Sequence, residues 1–187
     1  MDKARLTQLL EDFYLISGMD ISLSDAAFHG ILTKRCPFGT LCTHFHRSKK
    51  GVEICRASDT ERMAEVKASG MPLRYTCPIG ITEALLPIVK NDRTVAYLFS
   101  AMGVNRDETS DDEILDAIFA VAPELAPEES ALRLARMKHM SAQETDAYYR
   151  MLLLLAKHLE NEDFLLPDGE TVGRLAKQYI KQNLSGS

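Results

Sequence analysis

The sequence lacks an N-terminal apolar segment and any uninterrupted apolar run that approaches 18 residues. We therefore expect neither a secretory signal peptide nor a membrane-spanning helix, because each requires such a run. The sequence also lacks an excess of positive charge: 22 Lys and Arg stand against 27 Asp and Glu, a net charge of −5. A surface of that sign repels phosphate backbones, so this chain is not expected to bind nucleic acid by itself. These absences predict a cytoplasmic protein.

The motifs of several large enzyme classes are also missing. The sequence has no glycine-rich phosphate loop, no dinucleotide-binding fingerprint, no His-Glu-x-x-His zinc motif and no Gly-x-Ser-x-Gly nucleophile elbow. One catalytic hypothesis stays open, in which Cys77 acts as a nucleophile beside a histidine. The prediction is nonetheless that the chain is not an enzyme and has no catalytic residues.

The composition is that of a globular protein with one core: 187 residues, 45% hydrophobic and 26% charged. Apolar residues recur at helical spacing over residues 3–17, and Gly18 follows them. This pattern predicts a first helix that ends at Gly18. Short alternation around Ile21 and Leu23 predicts a strand that leads into a turn.

Two helices are predicted next. A short helix is predicted over residues 41–46, followed by a polar loop. Ser58 and Glu61 have the spacing of a capping box, in which each side chain satisfies a free backbone N–H of the first turn. This spacing predicts a helix that begins near Ser58 and ends near Gly70.

The middle of the chain has three β-compatible segments, at residues 73–77, 84–90 and 94–103. The sequence Asn91-Asp92-Arg93 supplies turn residues between the last two, which predicts a hairpin preceded by another strand.

The second half is predicted to be helical. Ser110 with Glu113, and Ser141 with Glu144, repeat the capping-box spacing. The order of elements therefore predicts an α+β fold, a sheet flanked by helices with a helical C-terminal appendage. We place the boundary at residue 139, with a first part over 1–139 and signalling or dimerisation helices over 140–187.

The helix predicted over residues 142–162 is apolar around most of its circumference. Tyr148, Leu152, Leu155 and Leu159 form one stripe, and further apolar residues extend it. Two interpretations remain open: the helix packs on both sides within its own domain, or it forms the shared seam of a homodimer. The second interpretation predicts a dimer.

All four cysteines, Cys36, Cys42, Cys55 and Cys77, lie within 42 residues of each other in sequence. A helix over residues 41–46 would place Cys42 and His46 one turn apart on the same face, as two ligands of a soft divalent ion can be. No Cys-x-x-Cys motif is present, and free cysteine is often buried as a small hydrophobic residue. Core thiols and a metal site therefore both remain open. In either case, at least three of the four are expected to converge in space.

Other residues have a structural and a functional interpretation. Tyr75 and Met102 alternate with their neighbours on predicted strands, which favours core positions. For His44 and His46, a position on a solvated helix edge is favoured over a role in a site. Glu83 lies in an apolar stretch, where a carboxylate is either exposed at a strand start or turned into a cavity.

Taken in order, these residues resemble the PocR sensory domain over about residues 6–160. The resemblance is carried by Cys42, by Cys55 with Asp59, by Tyr-Thr-Cys-Pro-Ile-Gly-Ile at 75–81, by Glu83, by Leu-Pro-Ile at 86–88, and by Val-Ala-Tyr-Leu at 95–98. It implies a PAS-like sheet that encloses a ligand pocket, used in bacterial signal transduction to sense small hydrocarbon derivatives and diols. Many such domains precede an AraC-type DNA-binding domain, and residues 175–184 look like the helix that opens one.

The chain departs from the family pattern at several positions. The family's histidine after the third cysteine is Pro78 here, and its Gly-Gln pair is Ala101-Met102. If these positions line the pocket, they make it more apolar, so the expected ligand is an apolar or weakly polar hydrocarbon derivative. The resemblance implies ligand-binding residues at Cys42, Tyr75, Cys77, Glu83 and Met102. Candidate metal ligands are Cys36, Cys42, Cys55 and Cys77, with zinc or another thiophilic metal as the candidate cofactor.

The sequence thus predicts a ligand-sensing module of a transcription regulator, in which ligand binding biases the C-terminal helices that position a DNA-binding domain. Any contact with DNA would be made by a region absent from this chain. The alternative is a cysteine-based metal or redox sensor on the same scaffold.

Overall fold

The structure, a computed structural model, describes residues 3–35 and 40–162. The chain orders its elements as helix, two strands, two helices, three strands, two helices, a short strand and a last helix. Their bounds are α1 Lys3–Ser17, β1 Asp20–Asp25, β2 Gly30–Lys34, α2 Leu41–Phe45, α3 Lys49–Ser69, β3 Leu73–Thr76, β4 Thr82–Lys90, β5 Arg93–Asn105, α4 Asp111–Val121, α5 Pro127–Ala135, β6 His139–Met140 and α6 Ala142–Glu160.

Five strands form an antiparallel sheet in the order β2-β1-β5-β4-β3, and the two-residue strand β6 pairs in parallel with the end of β5. The predicted hairpin is confirmed: β4 and β5 are joined at Asn91 and Asp92, whose φ angles of 49° and 60° are those of a tight hairpin turn. An open sheet of this order, flanked by helices, is an α+β PAS-like fold, as predicted.

The two faces of the sheet bury different clusters because side chains alternate along a strand. Leu23, Leu86 and Leu98 of β1, β4 and β5 pack with α1 and α6. On the opposite face, Leu85 of β4 and Tyr97 of β5 pack with α3. The sheet therefore separates α6 from the helices on its other face, and any signal between them must cross it.

The first helix ends as predicted, but the start predicted for α3 is wrong. α3 begins at Lys49 because the Ser48 side chain accepts a hydrogen bond from the backbone N–H of Gly51. Ser58 lies in the middle of this 21-residue helix. Gly70 ends the helix as predicted, in the left-handed conformation with φ of 67°.

The capping boxes predicted for the second half are both present. In each, the serine side chain accepts from the backbone of the glutamate, and the glutamate side chain accepts from the serine backbone. These pairs, Ser110 with Glu113 and Ser141 with Glu144, start α4 and α6. Strands β2 and β6 were not predicted, because a five-residue and a two-residue strand carry too little periodicity.

The stripe of α6 predicted as a dimer seam is buried inside its own chain, where Leu152 and Leu159 contact the sheet and α1 cluster. The exposed apolar residues of α6 are Met151 and Leu154, with 54% and 65% of their surface accessible. A homodimer stays a prediction, and its surface would be this outer face. Within residues 3–35 and 40–162, no helix has the length and apolar character needed to cross a membrane.

Candidate functional site

A cavity of about 570 Å³ lies on the sheet face opposite α6. Its walls are strands β1, β2, β4 and β5, helices α2 and α3, residues 77–79 after β3, and residues 133–138, which run from the last turn of α5 to the start of β6. The volume is within the range of small-molecule sites, about 300–1,000 Å³.

One row of side chains crosses the sheet beneath the cavity. Asp20 of β1 pairs with Ala101 of β5, Ala101 pairs with Glu83 of β4, and Glu83 pairs with Tyr75 of β3. Residues in register on neighbouring strands share a face, so the row points toward one side. Asp20, Ala101 and Glu83 line the cavity, whereas Tyr75 lies behind Glu83 and is not a lining residue.

Glu83 is the buried carboxyl group of the site, with 7% of its surface accessible. Its pKa is raised to about 7, which is the net result of burial and the nearby Asp59, which raise it, and of the Tyr75 hydroxyl, which lowers it by hydrogen bonding. Among the described side chains, its Oε2 is the one buried polar atom without a hydrogen-bond partner. Of the two sequence interpretations of Glu83, the structure shows the second: the carboxyl group is turned into a cavity.

Three cysteines converge on the cavity, as the sequence predicts. Cys42 of α2, Cys55 of α3 and Cys77 after β3 all line it. Gly51 is necessary for this arrangement, because a Cβ atom there would lie 2.5 Å from the backbone oxygen of Phe45. Only glycine lets α3 approach the end of α2 this closely, and so brings Cys42 and Cys55 together.

The thiols are held in their protonated form. Burial, followed by the nearby Glu83 carboxylate, raises the pKa of Cys42 to about 12 and the pKa of Cys77 well above its usual range. Burial, followed by Asp59, raises the pKa of Cys55 to about 11. Since the thiolate is the nucleophile and the metal ligand, these surroundings oppose both functions near neutral pH.

In the described part of the chain, no group of three or more His, Cys, Asp and Glu residues is arranged to hold a metal ion. Cys36 lies outside the described residues. The candidate ligand set Cys36, Cys42, Cys55 and Cys77 therefore stays a prediction.

The prediction of a solvated helix edge is wrong for His44. Its ring is buried, with 1% of its surface accessible, and its Nε2 lies 3.1 Å from the Ser130 hydroxyl on α5. His44 thus joins two helices as a satisfied core histidine. His46, one turn from Cys42, does line the cavity with it, and there it faces Asp59.

Met102, a predicted ligand-binding residue, is fully buried on the other face of the sheet among α1 and α6 residues. It does not line the cavity, because its neighbours Ala101 and Gly103 do so and side chains alternate along β5. Of the three named positions at which the chain departs from the family pattern, Pro78 and Ala101 therefore line the cavity, and Met102 does not.

Sequence reasoning missed a set of basic residues around the cavity. They come from two segments that lie far apart in sequence, two from the end of β2 and three from residues 133–138. The set is Lys34, Arg35, Arg133, Arg136 and Lys138. Gly103 permits their approach, since a Cβ atom there would lie 2.3 Å from the backbone oxygen of Lys138. The backbone N–H of Val104 donates to that same oxygen at 2.8 Å.

A five-stranded antiparallel core in this order, with a lined cavity on one face and helices α1 and α6 on the other, places the chain among PAS-like domains. Within that class, the family model described as the sensory domain found in PocR matches residues 1–163. The chain belongs to this family and is a sensory domain. Comparison with curated proteins finds no match, and comparison with solved structures finds none either.

Proposed function

We propose that this chain is the ligand-sensing part of a bacterial transcription regulator of the AraC type. A small organic molecule binds the cavity, and binding changes the position of α6 and of the segment after it. This segment would transmit the change to a DNA-binding unit. The observation that carries the proposal is the cavity itself, which lies on the sheet of a sensory domain and is lined by both apolar and charged side chains.

A chain of contacts runs from the cavity through the sheet to α6. The Ser100 hydroxyl of β5 donates to the backbone oxygen of Asp20, a lining residue, at 2.9 Å. The Ser100 oxygen also lies 3.1 Å from the Tyr148 hydroxyl oxygen of α6. A ligand that shifts β1 therefore changes the hydrogen bonding of α6 directly. The size of the effect is limited by the difference in ligand affinity between the two arrangements.

The experiment is a thermal-shift screen of small alcohols, diols, aldehydes and carboxylic acids. At about 100 times its Kd, a ligand that binds only the folded state stabilises that state by about 2.7 kcal/mol, which a melting curve detects. Ala101→Leu fills the cavity and should abolish the shift. Ala64→Leu adds the same atoms on the exposed side of α3 and should leave the shift unchanged. A shift that survives Ala101→Leu would show that the compound binds elsewhere.

The regulatory step has a separate test. The compound with the largest shift should change amide hydrogen exchange in α6, and Tyr148→Phe should weaken that change while leaving the affinity similar. Equal exchange in α6 with and without ligand would refute the proposed coupling. Control of the proposed DNA-binding unit would then need a route other than α6.

We also propose that the regulator is a homodimer and that the outer face of α6, with Met151 and Leu154, is its contact surface. Two subunits would place two DNA-binding units at a fixed spacing, as dimeric regulators require.

The alternative function is a metal or redox sensor, which the convergence of Cys42, Cys55 and Cys77 on one cavity favours. Metal analysis of the purified protein and its change on chelation distinguish this alternative. Bound stoichiometric zinc whose removal lowers the melting temperature would support it.

A further inference from the structure

The cavity has two chemically different parts. Its inner part holds the buried carboxyl group of Glu83 and the half-buried one of Asp59, and its outer part holds basic side chains. We propose that the ligand is a small organic acid whose other end carries a hydrogen-bond donor, a hydroxyl or an ammonium group. The donor binds Glu83, and the ligand's carboxylate binds the basic side chains. This inference rests on the proposed ligand-sensing function.

Glu83 requires a donor that the described chain does not provide. The hydroxyl of Tyr75, its cross-strand neighbour, is near enough to lower the pKa of the carboxyl group by hydrogen bonding. One of the two carboxyl oxygens, Oε2, is buried and has no hydrogen-bond partner among the described residues. A buried acceptor without a partner is costly, and a ligand donor that satisfies it gains affinity by removing that cost.

The other buried groups around Glu83 carry no positive charge that could take the place of a donor. The raised pKa values of Cys42, Cys55 and Cys77 keep these thiols neutral. Asp59 lines the same part of the cavity and adds a second carboxyl group. The inner part therefore attracts a donor or a cation and repels an anion, which orients an asymmetric ligand.

The basic residues form the outer part of the cavity, and two are engaged by acids of this chain. Lys34 lies 3.0 Å from a Glu11 oxygen, and Arg133 lies 2.7 Å from a Glu129 oxygen. The exposed side chains of Arg35 and Arg136 have no carboxylate partner among the residues that the structure describes. A guanidinium group matches the geometry of a carboxylate, so this pair suits the acidic end of a ligand.

This composition argues against a plain hydrocarbon derivative. Eight of the described lining side chains are charged, namely Asp20, Lys34, Arg35, Asp59, Glu83, Arg133, Arg136 and Lys138. In a chain with a net charge of −5, five basic residues around one cavity favour the approach of anions. A diol would satisfy Glu83 but leave the basic side chains unused, and a simple carboxylic acid would do the reverse.

The experiment is calorimetric titration of the whole chain with four straight-chain compounds of equal carbon number. These are γ-hydroxybutyrate and γ-aminobutyrate, which have both ends, butyrate, which lacks the donor, and 1,4-butanediol, which lacks the carboxylate. Homologues of each compound, shorter by one carbon and longer by one or two, test which distance between the two ends fits the cavity. At least one two-ended compound should bind about tenfold or more tightly than its two one-ended analogues, because a built hydrogen-bonding site rejects a ligand that leaves it unpaired.

Two variants assign the ends of the ligand, and a third is the control. Glu83→Gln should weaken the two-ended compound about tenfold or more and leave butyrate unchanged. Arg136→Gln should weaken the two-ended compound and butyrate alike and leave the diol unchanged. Glu53→Gln, an exposed position on α3 outside the cavity lining, is the matched control and should alter none of the affinities. Melting curves of each variant show that it is folded.

The inference is wrong if the diol or butyrate binds as tightly as the two-ended compounds, or if Glu83→Gln binds them like the wild type. It is also wrong if none of these compounds binds while another compound of the screen gives a shift that Ala101→Leu abolishes. In that case the proposed sensing function stands. If no compound of either set binds, the proposed function fails with it.

Discussion

Replacing Glu83 by glutamine should make the folded protein more stable at neutral and alkaline pH. Burial raises the pKa of Glu83 to about 7, against an ordinary value of 4.5 that the unfolded chain is expected to have. Glutamine has nearly the same shape but does not ionise, and its carbonyl oxygen can still accept from the Tyr75 hydroxyl. The substitution therefore removes the cost of a buried negative charge while keeping the packing.

The sign and size follow from proton linkage. Since the folded-state pKa is the higher one, the folded protein binds a proton between pH 4.5 and 7 that the unfolded chain has released. The contribution of Glu83 to stability is therefore fully present below pH 4.5 and is lost as the pH rises through 7. At about 1.4 kcal/mol for each pKa unit, the loss amounts to about 3 kcal/mol.

Urea unfolding at a series of pH values measures this effect. The difference in free energy of unfolding between Glu83→Gln and the wild type should grow by about 3 kcal/mol from acid to alkaline pH, with equal m-values. His46, whose pKa burial lowers, titrates in both proteins and cancels in the difference, whereas the coupling between Asp59 and Glu83 is part of the measured effect. Glu53→Gln, the same substitution at an exposed position of α3, is the control variant. A difference that stays constant with pH would refute the reasoning.

Three further predictions concern other parts of the molecule. Cys42 and Cys55, with pKa values raised by burial to about 12 and about 11, should alkylate slowly in the native protein at pH 7.5 and rapidly in urea, and equal rates would contradict this. Gly103→Ala should lower the free energy of unfolding by about 2 kcal/mol or more, because its φ is +98° and its Cβ would lie 2.3 Å from the Lys138 oxygen; an unchanged denaturation midpoint would contradict this. Leu154→Gln, at a position 65% exposed, should weaken the proposed dimer in sedimentation and leave the melting temperature unchanged; a wild-type monomer at tens of micromolar would refute the dimer.

The elements that the sequence predicts well are those with local signals. The capping pairs at Ser110 and Ser141 fix helix starts by short-range hydrogen bonds, and Asn91 with Asp92 supplies the positive φ angles of the hairpin. The same local signal misleads at Ser58, because the spacing of a capping box also occurs by chance inside a helix. There, tertiary packing of α3 and the earlier cap at Ser48 decide the boundary.

The site was predictable only in part. The cysteines and Glu83 stand out because they are unusual in an apolar context. The basic residues do not, since Arg35 and Arg136 resemble any exposed arginine until β2 and the end of α5 are brought to one cavity. Met102 was assigned from the resemblance, and a one-residue step along β5 places it on the other face. Long-range assembly and strand register therefore account for what the sequence alone did not show.

The cost of Glu83 gives an argument about its function. A glutamate that is buried, lacks a partner for one oxygen and destabilises the folded state near neutral pH has no structural advantage over glutamine. Stability and function are often in conflict where a site must stay unsatisfied until its ligand arrives. A donor-bearing ligand would remove the penalty, so binding and folding would reinforce each other by linkage. Glu83→Gln should therefore have opposite effects in two assays, a gain in stability without ligand and a loss of the stabilisation that ligand gives.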